Sequence, residues 1–230
     1  MKIVAIVPAA GRGARMNHSL SKQYLPLGGK PIIARTLLTL DGFALIDEIV
    51  VSVRKEEKEY CREKIIKQFG ITKVHELVEG GQKRQDSVYN ALKLVEKGCE
   101  LVVIHDSVRP FITEDVLMEA VSEANIHEAS VVAVPVTDTV KEGKEHGFVD
   151  KTLPRKNLWS VQTPQVFVCG LILEAHRRAR EEGFTGTDDS SLVERMGHPV
   201  RIVEGTPNNI KITTPEDLIM AEAILRELGK

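Results

Sequence analysis

The sequence predicts an α/β fold: a mostly parallel, twisted sheet with helices on both faces. Three observations carry that expectation. Short β-branched runs alternate with longer amphipathic stretches along most of the chain, the rhythm of successive βαβ units. A small-residue loop follows the first apolar run directly, where ligand-binding loops of such sheets gather. One segment, Val136 to Trp159, breaks the rhythm and reads as an arm projecting from the domain. The 230 residues fit one domain, 1–230, with that arm at about 136–159.

The elements follow in order. Strands are expected at Ile3–Val7, Glu48–Val53, Val74–Leu77, Leu101–His105, Ser130–Pro135 and Val200–Val203, each apolar and β-branched. Helices are expected at Ile32–Leu40, Lys55–Gln68, Arg84–Glu96, Glu114–Asn125 and Leu171–Glu182. Thr214-Pro215-Glu216-Asp217 starts a last helix, with Thr as N-cap, Pro at the first helical position and acids in the first turn. Within the arm, Thr139-Val140-Lys141 and Gly147-Phe148-Val149 read as two short strands around a turn at Glu142-Gly143-Lys144. Such a hairpin can pack on a second subunit or stand as a plain surface excursion.

Composition narrows the function classes. Hydrophobic residues make up 42% of the chain, ample for a core, and the formal net charge is −2, which argues against a general nucleic-acid binder. Cys61, Cys99 and Cys169 have no CxxC spacing, so reduced thiols in a cytoplasmic protein are expected, not a disulfide framework or a zinc site. No signal-peptide pattern or apolar stretch of about 18 residues appears, and no membrane association is expected.

The chemistry concentrates after strands. The first strand runs into Pro8-Ala9-Ala10-Gly11-Arg12-Gly13-Ala14-Arg15-Met16, and Lys22 follows in Ser21-Lys22-Gln23-Tyr24. Bare backbone amides with fixed cations are what a triphosphate requires. No Lys-Ser or Lys-Thr follows these glycines, so this is not a Walker A loop. Met16 stands where a dinucleotide fingerprint needs Gly or Ala, so that reading fails as well.

A second loop, Gly80-Gly81-Gln82-Lys83-Arg84-Gln85-Asp86-Ser87, opens a helix and can form another wall of a nucleotide site. His105-Asp106-Ser107-Val108-Arg109-Pro110 closes an apolar strand, and Asp106 there is a candidate carboxylate for nucleotide-bound Mg²⁺. His105 reads as a hydrogen-bonded structural residue in preference to a ligand. Arg109 either binds substrate or bridges Asp106. Lys211, between Ile210 and Ile212, either faces solvent on a strand or borders the first loop. Thr185-Gly186-Thr187-Asp188-Asp189 and Arg155 are further polar candidates.

Together these motifs, with Thr163-Pro164-Gln165, Thr187-Asp188 and Asn209-Ile210-Lys211-x-Thr213, resemble the 2-C-methyl-D-erythritol 4-phosphate cytidylyltransferase family over almost the whole chain. The first motif alone is shared by many sugar-phosphate nucleotidyltransferases; the combination is much narrower. The family's usual His-Asp-Ala-Ala-Arg-Pro reads Ser107-Val108 at its centre here, which bears on contacts near the ribose.

The resemblance implies a Rossmann-like nucleotidyltransferase domain that uses CTP, Mg²⁺ and a phosphorylated polyol, and that forms a homodimer through its β-arm. It matches Arg15 and Lys22 to cations that stabilise the transition state. It matches Arg155 and Lys211 to residues that position the acceptor phosphate, with Arg155 reaching the partner's site. Asp138, Thr139 and Thr187 match residues lining the acceptor site. Ala9, Ala10, Gly11, Gly81, Arg84, Ser87 and Asp106 match positions around CTP and its Mg²⁺. Two alternatives stay open: a relative acting on ribitol 5-phosphate, and a nucleotide-binding protein without turnover.

Overall fold

In the computed structural model, residues 1–11, 21–95 and 97–229 are described. Arg12, Gly13, Ala14, Arg15 and Met16 lie outside them. The strands are β1 (Ile3–Pro8), β2 (Pro26–Leu27), β3 (Lys30–Pro31), β4 (Glu48–Val53), β5 (Val74–Glu79), β6 (Leu101–Ile104), β7 (Ala129–Pro135), β8 (Lys141–Gly143), β9 (Val149–Thr152), β10 (Trp159–Val168) and β11 (Arg201–Glu204). The helices are α1 (Ile32–Gly42), α2 (Lys58–Tyr60), α3 (Arg84–Val95), α4 (Glu114–His127), α5 (Cys169–Glu181), α6 (Ser190–Arg195) and α7 (Pro215–Glu227).

Seven strands form one sheet in the order β11-β7-β10-β6-β1-β4-β5. Every pairing is parallel except those of β10, which runs antiparallel to both β6 and β7. The interior strand β1 is buried on both faces, so it reads as a continuous apolar run. Its side chains divide by alternation. Ile3, Ala5 and Val7 join the core under α1 and α4, whereas Val4 and Ile6 join the core under α3 and α5. Fully buried anchors such as Leu37, Leu92 and Phe167 each contribute roughly 1.5–3 kcal/mol by leaving water.

Register places the functional loops together. Ile6 pairs with Ile104 and Pro8 with Ser52, so the chain leaves β1 and β6 at one carboxyl edge. Backbone bonds from Ala9 N to Ser52 O (2.7 Å) and from Gly80 N to Val53 O (2.8 Å) draw the loop after β5 to the same edge. Gly80 is required there, because a Cβ would lie 2.3 Å from the Ala10 Cβ.

Several elements differ from expectation. Lys55–Gln68 is a 3₁₀ turn (Lys55–Glu57), then α2, then a π-helical stretch (Cys61–Lys67). Apolar spacing sets the buried face, with Cys61 and Ile65 inward, but does not select the winding. The arm hairpin forms with its strands displaced: Glu142 and Gly143 belong to β8, and the turn is Lys144–Phe148, where His146 and Gly147 take positive φ.

β10 is the strand the sequence does not announce. Thr163-Pro164-Gln165 interrupts its apolar pattern, and a proline argues against a central strand. The ladder with β7 shifts register between Val161 and Gln165, and Pro164 falls in that break. The last helix begins as read, with Thr214 and Asp217 forming a reciprocal capping box. No disulfide is present among the described residues, and none of their helices is long and apolar enough to cross a membrane.

Candidate active site

Residues from five segments converge on a cleft at the carboxyl edge of the sheet. Ala9, Ala10 and Gly11 follow β1, and Lys22 stands on a short 3₁₀ turn. Gly81, Arg84 and Ser87 come from the start of α3, Asp106 from the end of β6, and Lys211 from the segment before α7. A roomier groove of about 670 Å³ behind α1 is lined by apolar Leu38, Phe43 and Phe111 together with Lys30, Arg35 and Glu114. The charged cleft, about 150 Å³, has the groups that phosphate chemistry needs.

Lys22 is held through both neighbours. Gln23 donates from Nε2 to Ala9 O at 2.7 Å. Ser21 Oγ donates to Glu57 at 2.6 Å and accepts from Arg54 at 2.7 Å, while Arg54 and Glu57 pair with each other. The ammonium is therefore carried on a turn that two buried residues fix to the sheet. Ser87 Oγ accepts from Gly81 N at 3.1 Å and so shapes the second loop.

Asp106 is the junction of the site. Arg84 donates from Nε to Asp106 Oδ1 at 3.0 Å, and Lys211 donates to Oδ2 at 2.6 Å. Burial alone would raise the Asp106 pKa, but the Arg84 and Lys211 charges outweigh it and hold the carboxyl well below its usual range. It is ionised at any physiological pH. The ion pair with Lys211 settles the alternatives for that residue: it borders the site, and 208–213 is not a strand.

A second cavity, about 330 Å³, lies on the other side of this junction. It shares Arg84, Asp106 and Lys211 with the first and adds Gln162, Thr163 and Thr187. Asp138, Thr139 and Arg155 are not brought to either cavity of their own chain. They are exposed on the arm, where Arg155 Nη1 donates to Thr137 O at 2.5 Å.

His105 is structural. It is fully buried between two partners, with Nε2 at 2.9 Å from Arg109 O and Nδ1 at 3.1 Å from Thr163 Oγ1. A carbonyl only accepts, so Nε2 carries the proton and Nδ1 accepts from Thr163. That hydroxyl in turn accepts from Asp106 N at 3.0 Å. Burial, the largest influence, lowers the His105 pKa to about 4, so the ring is neutral near pH 7. Arg109 lines the second cavity, and its guanidinium donates to Asn209 O at 2.6 Å, tying this loop to the Lys211 segment.

Sequence reasoning missed how Arg84 is held. Its Nη1 donates to Asp189 at 2.5 Å, and Asp189 also receives His176 Nε2 at 3.1 Å. Asp189 lay in a polar run already singled out, but nothing in the spacing linked it to Arg84. His176 sits on an apolar helix face, where a histidine gives no distinct signal.

Residues 3–227 match the family model described as 2-C-methyl-D-erythritol 4-phosphate cytidylyltransferase. A protein of that name from Caldanaerobacter subterraneus is 50% identical over 227 residues, covering 99% of this chain and all of the relative. One from Syntrophus aciditrophicus is 49% identical, covering 98% of this chain and 97% of the relative. The crystal structure of 4-diphosphocytidyl-2C-methyl-D-erythritol synthase from Anaerococcus prevotii superposes with a TM-score of 0.86 at 33% identity, covering 98% of this chain and 96% of that one. The Thermus thermophilus cytidylyltransferase gives 0.78 at 31% identity, over 96% and 98%. The chain belongs to the 2-C-methyl-D-erythritol 4-phosphate cytidylyltransferase family.

Proposed function

We propose that this protein transfers a cytidylyl group from CTP to 2-C-methyl-D-erythritol 4-phosphate, a step of the non-mevalonate isoprenoid pathway. The products are 4-diphosphocytidyl-2-C-methyl-D-erythritol and pyrophosphate. The observation that carries the reading, beside family membership, is the Arg84–Asp106–Lys211 junction between two cavities. One side offers backbone and cations for a triphosphate; the other offers Thr187 and Lys211 for a phosphorylated acceptor.

The acceptor phosphate attacks the α-phosphorus of CTP. A new P–O bond forms, the α–β bridge breaks, and pyrophosphate leaves with the bonding electrons. A phosphate monoester has a second pKa near 6, so the nucleophile is mostly dianionic at neutral pH and needs no general base. The difficulty is repulsion between anions and charge building on the phosphate oxygens, which fixed cations relieve.

Lys22 supplies a point charge that follows the α-phosphate. Arg15, outside the described residues, is assigned to the β- and γ-phosphates, where a guanidinium fork donates in pairs. Lys211 orients the incoming phosphate. Ala9, Ala10, Gly11, Gly81, Arg84 and Ser87 form the nucleotide wall.

Asp106 fits Mg²⁺ as a hard, ionised oxygen donor facing the cleft. Among the described residues no cluster of three or more His, Cys, Asp or Glu accompanies it, so phosphate oxygens and water would complete the shell. Bound there, the ion would neutralise charge on the phosphates.

Dimerisation through the arm completes the reading, with Asp138, Thr139 and Arg155 serving the partner's acceptor site. Phe148 and Val149 at the arm's tip are 71% and 58% exposed, an apolar end suited to a second copy. A cytoplasmic location is part of the same proposal. The test is Mg²⁺-dependent pyrophosphate release from CTP with methylerythritol phosphate as acceptor. Release is expected; binding of CTP without release would replace an enzyme by a nucleotide-binding protein.

A further inference from the structure

The geometry points to Asp189, backed by His176, as a positioning residue for the transfer reaction that acts through Arg84. The inference rests on the function proposed above and adds residues that line neither cavity. Asp189 is 1% exposed and sits just before α6; His176 is fully buried on α5. Both carboxylate oxygens of Asp189 are engaged. Oδ2 accepts from Arg84 Nη1 at 2.5 Å and Oδ1 from His176 Nε2 at 3.1 Å. Asp189 N donates to Gln165 Oε1 at 3.1 Å, fixing the backbone to β10. The His176 ring stacks on Tyr89 of α3 at 6.2 Å between centroids.

The consequence lies in how Arg84 divides its donors. A guanidinium beside one carboxylate tends to grip both oxygens with two nitrogens. Asp189 holds Nη1, on the far side of the guanidinium from the Nε–H, and so fixes the orientation that aims Nε at Asp106 Oδ1 while Oδ2 receives Lys211. Asp189 thereby sets the sharing of Asp106 between the nucleotide-side arginine and the acceptor-side lysine. His176 donates to the far oxygen and stops the carboxylate from turning away. Its Nδ1 is buried without a hydrogen-bond partner. With the charge of Asp189 removed, the guanidinium loses the anchor that fixes its orientation, and its sharing of Asp106 with Lys211 changes.

The test is steady-state kinetics with CTP and methylerythritol phosphate, together with CTP affinity by calorimetry and Tm for each variant. Asp189→Asn is expected to lower kcat/KM about tenfold or more, the effect of one hydrogen bond to a charged group. It should add nothing in an Arg84→Ala background. Kinetics within about twofold of wild type, or the same loss in both backgrounds, overturns the inference. If Asp189→Asn does not fold, the histidine variants decide. His176→Gln, which keeps a donor near Nε2, should retain activity, and His176→Leu should lose about tenfold. Equal rates for these two overturn it. Should the wild type release no pyrophosphate, the functional reading fails. CTP affinity then decides the inference: a Kd raised by Asp189→Asn only when Arg84 is present upholds it, and an unchanged Kd overturns it.

Discussion

The charged junction and the arm are built on opposite plans. At the junction, Arg84, Asp106, Asp189 and Lys211 satisfy one another within a single chain, and two of the four are nearly inaccessible. On the arm, β8 and β9 are exposed along their whole length, and their ion pairs, Lys144–Asp150 and Lys151–Glu142, lie in solvent. Exposed pairs of that kind contribute little. The difference teaches where each region obtains its order. The junction is ordered by contacts within one chain, whereas the arm, by the reading above, gains its packing and its chemical role from a second copy.

The largest expected effect tests the junction side. Lys22→Ala should lower kcat on the order of 10²–10³-fold, as for other lost transition-state donors. An unchanged kcat would remove Lys22 from the mechanism. Lys211→Ala should reduce kcat/KM for the acceptor by roughly 10–100-fold, with less effect on KM for CTP, because it removes a charged hydrogen bond on the acceptor side. A loss confined to CTP would place Lys211 on the wrong side of Asp106.

The arm is tested by complementation. Arg155→Ala should raise KM for methylerythritol phosphate about tenfold and leave KM for CTP alone. Mixing Arg155→Ala with Lys22→Ala at low acceptor concentration should restore activity, since about a quarter of sites in randomly exchanged dimers are intact if the arm serves the partner. No recovery after subunit exchange would return Arg155 to its own chain or to no role.

The smallest expected effect concerns stability. His105 is depressed to about 4 from an ordinary value near 6.5, so between those pH values the unfolded chain binds a proton that the folded chain refuses. Stability should therefore fall as pH drops from 6.5 towards 4, by roughly 3 kcal/mol in total. Unfolding curves of His105→Asn should show a shallower slope over that window. An equal slope would mean that His105 does not set it.

The same contrast explains what was legible in the sequence. Sheet strands such as β1, β4 and β6 are apolar runs, and β1 and β6 feed directly into the site loops, so fold and loops could be read together there. β10 could not, because Pro164 and its polar neighbours hide a strand whose irregularity lies at a register break. The arm hairpin was visible, but its offset was not, since exposed strands carry no burial pattern to fix register. Lys211 was readable as a lysine near a helix cap, yet only the fold brings it 2.6 Å from Asp106, 105 residues earlier. The tie of Asp189 and His176 to Arg84 was hidden for the same reason, being made only through tertiary packing.

The most direct test is a competition. The protein would be given CTP, Mg²⁺ and equal concentrations of methylerythritol phosphate and ribitol 5-phosphate, and the cytidylylated product identified by mass. 4-Diphosphocytidyl-2-C-methyl-D-erythritol is expected as the dominant product. Cytidylylated ribitol as the dominant product would keep the mechanism and contradict the assigned acceptor.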